Sequence, residues 1–162
     1  MLYPIGIQSF EKIRTEGFVY VDKTALIYRL AASGQYYFLS RPRRFGKSLL
    51  VSTMEAYFSG RKELFEGLAM ESLEKEWTEY PVLHLDLTGA AYLSVDELYS
   101  KLNSFLSKYE ERYEICTGEH VASVRFENII DTAYRKTGQK VVILIDEYEK
   151  PIIDNIDNPE LM

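Results

Sequence analysis

Val141-Val142-Ile143-Leu144-Ile145-Asp146-Glu147 constrains the fold of this chain more than any other stretch. A wholly apolar, largely β-branched run of that length reads as a strand covered on both faces. Such strands belong to parallel sheets flanked by helices. The run ends in two acids, so Asp146 falls at the strand's C-terminal end, the edge where open α/β sheets place their ligands. This has the form of a Walker B strand. Asp146 there is expected to hold Mg2+, mostly through water, because that ion gives up its hydration shell reluctantly. Glu147, one position on, is expected to point to the other side and to orient or deprotonate an attacking water. Taken alone, the segment also fits a buried strand with a polar terminus.

A second segment completes the pattern. Tyr36-Tyr37-Phe38-Leu39 is apolar, Ser40-Arg41-Pro42-Arg43-Arg44-Phe45-Gly46-Lys47-Ser48 is a basic loop, and Leu49, Leu50, Met54, Tyr57 and Phe58 follow at helical spacing. Strand, loop and helix with Gly-Lys-Ser at the last junction is the arrangement a phosphate-binding loop needs. Backbone N–H groups at a helix N-terminus lack intrahelical partners, and the helix dipole favours an anion there. Lys47 is expected to reach the β- and γ-phosphates and the Ser48 hydroxyl to ligate Mg2+. The usual G-x-x-x-x-G-K-[ST] pattern is incomplete, because Arg41 stands where the first glycine belongs. An arginine enters positive φ only at a cost, so the loop's entry must differ from the usual turn. Arg41 can supply from its side chain some of the charge stabilisation lost with that glycine. The two motifs lie about a hundred residues apart and in the expected order.

The chain has 162 residues, a net charge of −6, 46% hydrophobic and 27% charged residues. These are the proportions of an ordinary globular domain, and the acidic balance argues against a surface-wide nucleic-acid footprint. Arg41, Arg43, Arg44 and Lys47 crowd one loop of this acidic chain, where an anion is expected. Cys116 is the single cysteine, which precludes an intrachain disulfide and fits a reducing cytoplasm. No signal-peptide pattern opens the chain and no apolar run reaches membrane-spanning length. Several of the 13 tyrosines fall at helical spacing over 98–113 and read as a core face with phenol tips outward.

The remaining pattern divides the chain into an N-terminal segment (1–34), the P-loop strand and helix (36–60), and a stretch (81–146) of a second strand, two helices and the Walker B strand. Phe18–Val21 predicts a short strand, and Asp22 or Thr24 a cap for a helix through Ser33 that ends at Gly34. Residues 61–70 read as a polar connector and 71–79 as a weak helix. Val82–Leu87 alternates with period two, as a half-covered or edge strand does. Asp86 near its end either approaches the nucleotide or a water network, or faces solvent at the edge, and the alternation favours the edge. Ser94 and Glu97 form a capping box for a long amphipathic helix. A second helix around Phe126, Ile129, Ile130, Ala133 and Tyr134 is capped by Gly138. Pro151 is expected to break any helix immediately after the strand, and 154–159 to be loose.

On Tyr3-Pro4-Ile5-Gly6-Ile7, Phe18-Val19-Tyr20-Val21-Asp22-Lys23-Thr24, Arg41-Pro42-Arg43-Arg44-Phe45-Gly46-Lys47-Ser48 and Leu144-Ile145-Asp146-Glu147-Tyr148-Glu149-Lys150-Pro151, the chain resembles the AAA-ATPase-like domain of a bacterial protein family. That family usually carries a C-terminal PD-(D/E)xK nuclease-like domain. The resemblance makes the missing glycine a family trait. It implies a P-loop NTPase fold, a three-layer α/β/α sandwich with a mostly parallel sheet, of the class with an additional strand and a catalytic glutamate. Such sheets run 5-1-4-3-2, and the chain extends about seventeen residues past Ile145. The expectation is therefore an N-terminal part of a longer protein, truncated before strands 4 and 5. The gap between 36–39 and 141–145 is expected to be met by direct pairing, by an inserted partner chain, or by partial disorder of the fragment, and self-association through exposed sheet edges follows from open strands.

The expected function is an ATP-binding module whose longer parent hydrolyses ATP with Mg2+. Lys47 and Glu147 are the expected catalytic residues, Ser48 and Asp146 the metal ligands, and Arg43, Arg44, Phe45, Gly46, Lys47, Ser48 and Leu49 the nucleotide contacts. Nucleic acid enters only through the nuclease-like domain that the resemblance implies, and a membrane is not expected. The alternative is a non-hydrolysing P-loop-like scaffold for protein or nucleic-acid contacts.

Overall fold

Two short amphipathic motifs start the first of two compact units, residues 1–79 and 80–162. In this computed structural model residues 2–40, 42, 44–89 and 92–156 are described. Helix α1 (Phe10–Thr15) begins at Ser9, whose hydroxyl accepts the Lys12 N–H at 3.2 Å. Phe10 and Ile13, three positions apart on one face, are both fully buried. The Phe10 N–H donates to Ser52 Oγ at 2.9 Å, which ties α1 to helix α3 (Lys47–Phe58). The strand expected at Phe18–Val21 is reduced to a single parallel bridge between Leu2 and Phe18.

Helix α2 (Thr24–Ser33) has Lys23 as its N-cap with no side-chain cap bond, in place of the expected Asp22 or Thr24, and Asp22 braces its first residue from one position further back. One carboxylate oxygen accepts the N–H and the hydroxyl of Thr24 at 2.8 and 2.7 Å, and the other accepts the Ala69 N–H at 2.7 Å. Burial works against the ionised form of Asp22, but these donated hydrogen bonds outweigh it and hold the carboxyl below its ordinary range. Helix α4 (Ala69–Leu73) is thereby fastened to α2, and the buried Thr24 hydroxyl accepts the Met70 N–H at 3.0 Å. The connector after Gly60 is structured, not merely polar. Its 3-10 turn Lys62–Phe65 inserts Leu64 and Phe65 into a core with Phe10, Ile27, Ala56 and Met70. Phe65 stacks against Phe10 and Trp77 at centroid distances of 4.9 and 5.2 Å.

The expected P-loop strand is not formed. Residues 34–40 join no ladder, and Tyr36 and Phe38 are 92% and 76% exposed. A strand needs a neighbour for its backbone groups; here the Tyr37 side chain instead folds back on α2, donating to Leu30 C=O at 2.6 Å. Gly34 permits this approach, because a Cβ there would lie 2.7 Å from the Tyr37 hydroxyl.

The second unit holds the sheet. Strands β1 (Val82–Asp86) and β2 (Val142–Asp146) pair in parallel, Val82 opposite Val142 and Asp86 opposite Asp146. The connection runs through helices α5 (Val95–Tyr113) and α6 (Ala122–Thr137), the crossover a parallel pair requires. Both parts of the Ser94–Glu97 capping box are present, and Gly138 ends α6 in the left-handed conformation. Leu83 packs with Leu106, Tyr109, Tyr113, Ile129 and Ala133 into one core. The Tyr109 hydroxyl accepts the His84 N–H at 2.8 Å, so β1 carries a helix partner on its outer edge. Arg125 of α6 grips Glu110 of α5 with two bonds of 2.8 and 2.6 Å and also reaches Asn103 and Ser107.

Pro151 does not break the chain after β2. It occupies the first turn of a short helix α7 (Lys150–Asp154), where a missing N–H leaves no intrahelical bond unmade. Of the tail expected to be loose, 154–156 end this helix, and 157–159 lie outside the described residues.

Candidate functional site

Helix α3 starts at Lys47 because Gly46 turns the chain into it. Gly46 adopts φ 75°, ψ 26°, a left-handed conformation that glycine enters without the Cβ penalty. As N-cap it offers no side-chain acceptor, and the first turn contains no acid. No carboxylate within that turn competes for its N–H groups, at the end where the helix dipole is worth roughly +0.5 of a charge. Arg44 also has positive φ, 67°, while Phe45 between them does not. Alternation of left- and right-handed residues can turn successive backbone N–H groups toward one side, as in an anion-binding nest. Arg44, Phe45 and Gly46 are exposed, whereas Lys47, Ser48 and Leu49 are half-buried at the helix start. Arg41 and Arg43, singled out by the sequence, lie outside the described residues.

The acid pair stands at the end of β2, in the second unit. Asp146 is buried, 6% exposed, and its Oδ1 accepts the Glu147 N–H at 3.0 Å. Glu147 does not continue the strand's alternation. It turns left-handed at φ 53°, and its C=O accepts the Lys150 N–H at 2.9 Å at the start of α7. Its direction is thus set by a turn and not by the pleat. A glutamate held left-handed costs about 1 kcal/mol, and such strain collects at functional positions.

Asp86 is the residue that sequence reasoning undervalued. It is half-buried beside Asp146, not a solvent-facing edge residue, since register puts both carboxylates on one face at the C-terminal ends of parallel strands. Its two oxygens accept the N–H and the hydroxyl of Thr88, each at 2.8 Å. The Asp-x-Thr spacing was the available signal for that turn. Tyr92, fully buried, was also unforeseen. Burial pushes its phenol up, Lys150 pulls it down, and Asp86 and Asp154 push it up.

Among the described residues no three His, Cys, Asp or Glu side chains gather as a metal cage. This donor set suits Mg2+, which takes one or two protein oxygens and leaves the rest to phosphate and water. The open first turn of α3 likewise suits a polyphosphate: around Gly46 nothing lies within 4 Å of where a Cβ would stand. Taken singly, Asp146 is an acid of the kind Mg2+ accepts, and the first turn of α3 is a helix start of the kind a phosphate accepts. No helix among the described residues is long and apolar enough to cross a membrane.

A left-handed glycine opening a helix on Lys-Ser, and a buried aspartate ending a parallel strand, are features of nucleotide-binding α/β proteins. The chain belongs to the family described as "Predicted AAA-ATPase", which it matches over residues 4–162. It is also 40% identical over 160 residues to the "Uncharacterized protein in vnfD 5'region" of Azotobacter chroococcum mcd 1, an alignment covering 98% of this chain. The chain spans 31% of that relative's length. No solved structure matches it. Family membership supports nucleotide binding in general.

Proposed function

We propose that this chain is an ATP-binding P-loop module, and that the longer protein to which such a chain belongs hydrolyses ATP with Mg2+. The observation that carries the reading is Gly46, left-handed at the start of α3, with Lys47 and Ser48 opening the helix. Backbone N–H groups of 44–49 take the β- and γ-phosphates, Arg43 and Arg44 add charge, and Lys47 spans the terminal pair. Ser48 in the first unit and Asp146 in the second would each serve as a metal ligand, and Glu147 would accept a proton from the attacking water. Magnesium, when bound, neutralises charge developing on the phosphate oxygens. Most of the catalytic work in such a reaction is positioning.

A thermal-shift measurement tests this. A ligand that binds only the folded state raises the melting point, by the equivalent of about 2.7 kcal/mol at a hundredfold excess over Kd. Mg-ATP is expected to raise Tm, and magnesium with adenosine is not. An unchanged Tm at millimolar Mg-ATP would overturn the reading.

A second reading, a non-hydrolysing scaffold, is favoured by one observation: residues 36–39, the strand that should lead into the phosphate loop, are exposed and join no ladder. A scaffold that takes no nucleotide predicts an unchanged Tm with Mg-ATP, so the same measurement separates it from the first reading. Self-association is part of the proposal, because Ile143 and Ile145 remain 41% and 48% exposed on a strand that, among the described residues, has a sheet neighbour on one edge only. Nucleic acid as an eventual substrate, and a cytoplasmic setting, rest on sequence resemblance and cysteine usage alone.

A further inference from the structure

Helix α7 has five residues, too few to hold its own shape in water. Its position is set by Tyr92, in the segment after β1. The Tyr92 N–H donates to Asp154 Oδ2 at 3.0 Å, and Asn155 Nδ2 donates back to the Tyr92 C=O at 2.5 Å. The Tyr92 hydroxyl donates to Leu87 C=O at 3.1 Å, one residue beyond Asp86. Lys150 Nζ closes the assembly: it bonds Asp154 at 2.6 Å and lies 5.8 Å from the Tyr92 ring centroid. Tyr92 is 1% exposed, so its own bond to Leu87 is sheltered from competing water.

This clamp joins the segment leaving Asp86 to the segment leaving Asp146. The turn carrying Glu147 lies between β2 and α7, and its closing bond ends on Lys150, a member of the clamp. We propose that Tyr92, Lys150, Asp154 and Asn155 are positioning residues: they hold α7 against the loop after β1 and so fix the left-handed turn that aims Glu147. This rests on the ATPase reading above for its catalytic consequence, while its structural half stands on its own.

The discriminating variants are Asp154→Ala, which removes the acceptor shared by Tyr92 and Lys150, and the milder Lys150→Met with Lys150→Arg as its conservative control. In the full-length protein, Asp154→Ala and Lys150→Met are expected to lower kcat about tenfold with KM for Mg-ATP within about twofold of wild type, the signature of a lost transition-state geometry. Lys150→Arg is expected to restore most of the rate. Amide hydrogen exchange supplies the second arm: the Lys150 amide should exchange faster in Asp154→Ala while Leu144 stays protected. If exchange at 147–150 is unchanged and kcat is unchanged, the clamp proposal is overturned. A KM rise with kcat unaltered overturns it too. If wild type neither binds nor hydrolyses ATP, the ATPase reading fails, and exchange at 147–150 alone then decides the clamp. Should Asp154→Ala fail to fold, Lys150→Met carries both arms.

Discussion

Asp86 and Asp146 are register partners at the C-terminal ends of adjacent parallel strands. Neighbouring strands lie about 4.8 Å apart, so two carboxylates share one face at close range. Like charges on one face of neighbouring strands repel, and solvent screening weakens the repulsion. Each is tied by its own turn, Asp86 by Thr88 and Asp146 by the Glu147 N–H. An asparagine at 86 keeps both bonds, since its amide can donate to the Thr88 hydroxyl while its oxygen accepts the Thr88 N–H. Asp86→Asn should therefore stabilise the metal-free protein by about 1 kcal/mol in urea denaturation at pH 7 and low salt. A destabilised variant would show that the charges are not in conflict.

Glu147 gives a prediction of opposite signs for stability and activity. Glycine at this position enters φ 53° without strain, so Glu147→Gly should gain about 1 kcal/mol and lose hydrolysis. Glu147→Gln should keep Mg-ATP affinity and also lose hydrolysis. Denaturation curves and a phosphate-release assay on both variants check this; turnover in Glu147→Gln near the wild-type rate would contradict it.

The bond between α5 and α6 makes a pH prediction. The Arg125 hydrogen bonds hold the Glu110 carboxyl below its ordinary 4.5, against the opposing effect of burial. A depressed carboxyl contributes stability that is fully present above 4.5 and is lost as pH falls through the lower, folded-state value. Both side chains are largely buried, so Arg125→Met should cost about 2 kcal/mol at pH 7. Below pH 4.5 the variant's stability should fall less steeply with acid than that of wild type. Parallel acid-denaturation curves for the two proteins would contradict this.

Much of the second unit was legible in the sequence because its signals are local. The Ser94–Glu97 box, Gly138 and the Val142–Asp146 run each carry their own physics within a few residues. Asp86 was not legible in the same way, because its neighbour is sixty positions away and register is a tertiary fact. Pro151 was misread by taking proline as a stop where it begins a helix. In the first unit, α1 is marked only by Ser9 and the Phe10–Ile13 pair, too short for a periodicity to emerge. The strand at 36–39 was read from apolarity alone, and apolarity does not supply the neighbour a strand requires. At the candidate site the turn into α3 was legible from Gly46, while the left-handed turn at Glu147 has no residue-type signature.

Isothermal titration of Mg-ATP into the wild-type protein and into Lys47→Ala tests the central claim most directly. The account predicts saturable binding by wild type and at least a tenfold weaker Kd for the variant, about 1.4 kcal/mol, with the fold intact by circular dichroism. Equal affinity in the two proteins, or no heat from either at millimolar nucleotide, would contradict it.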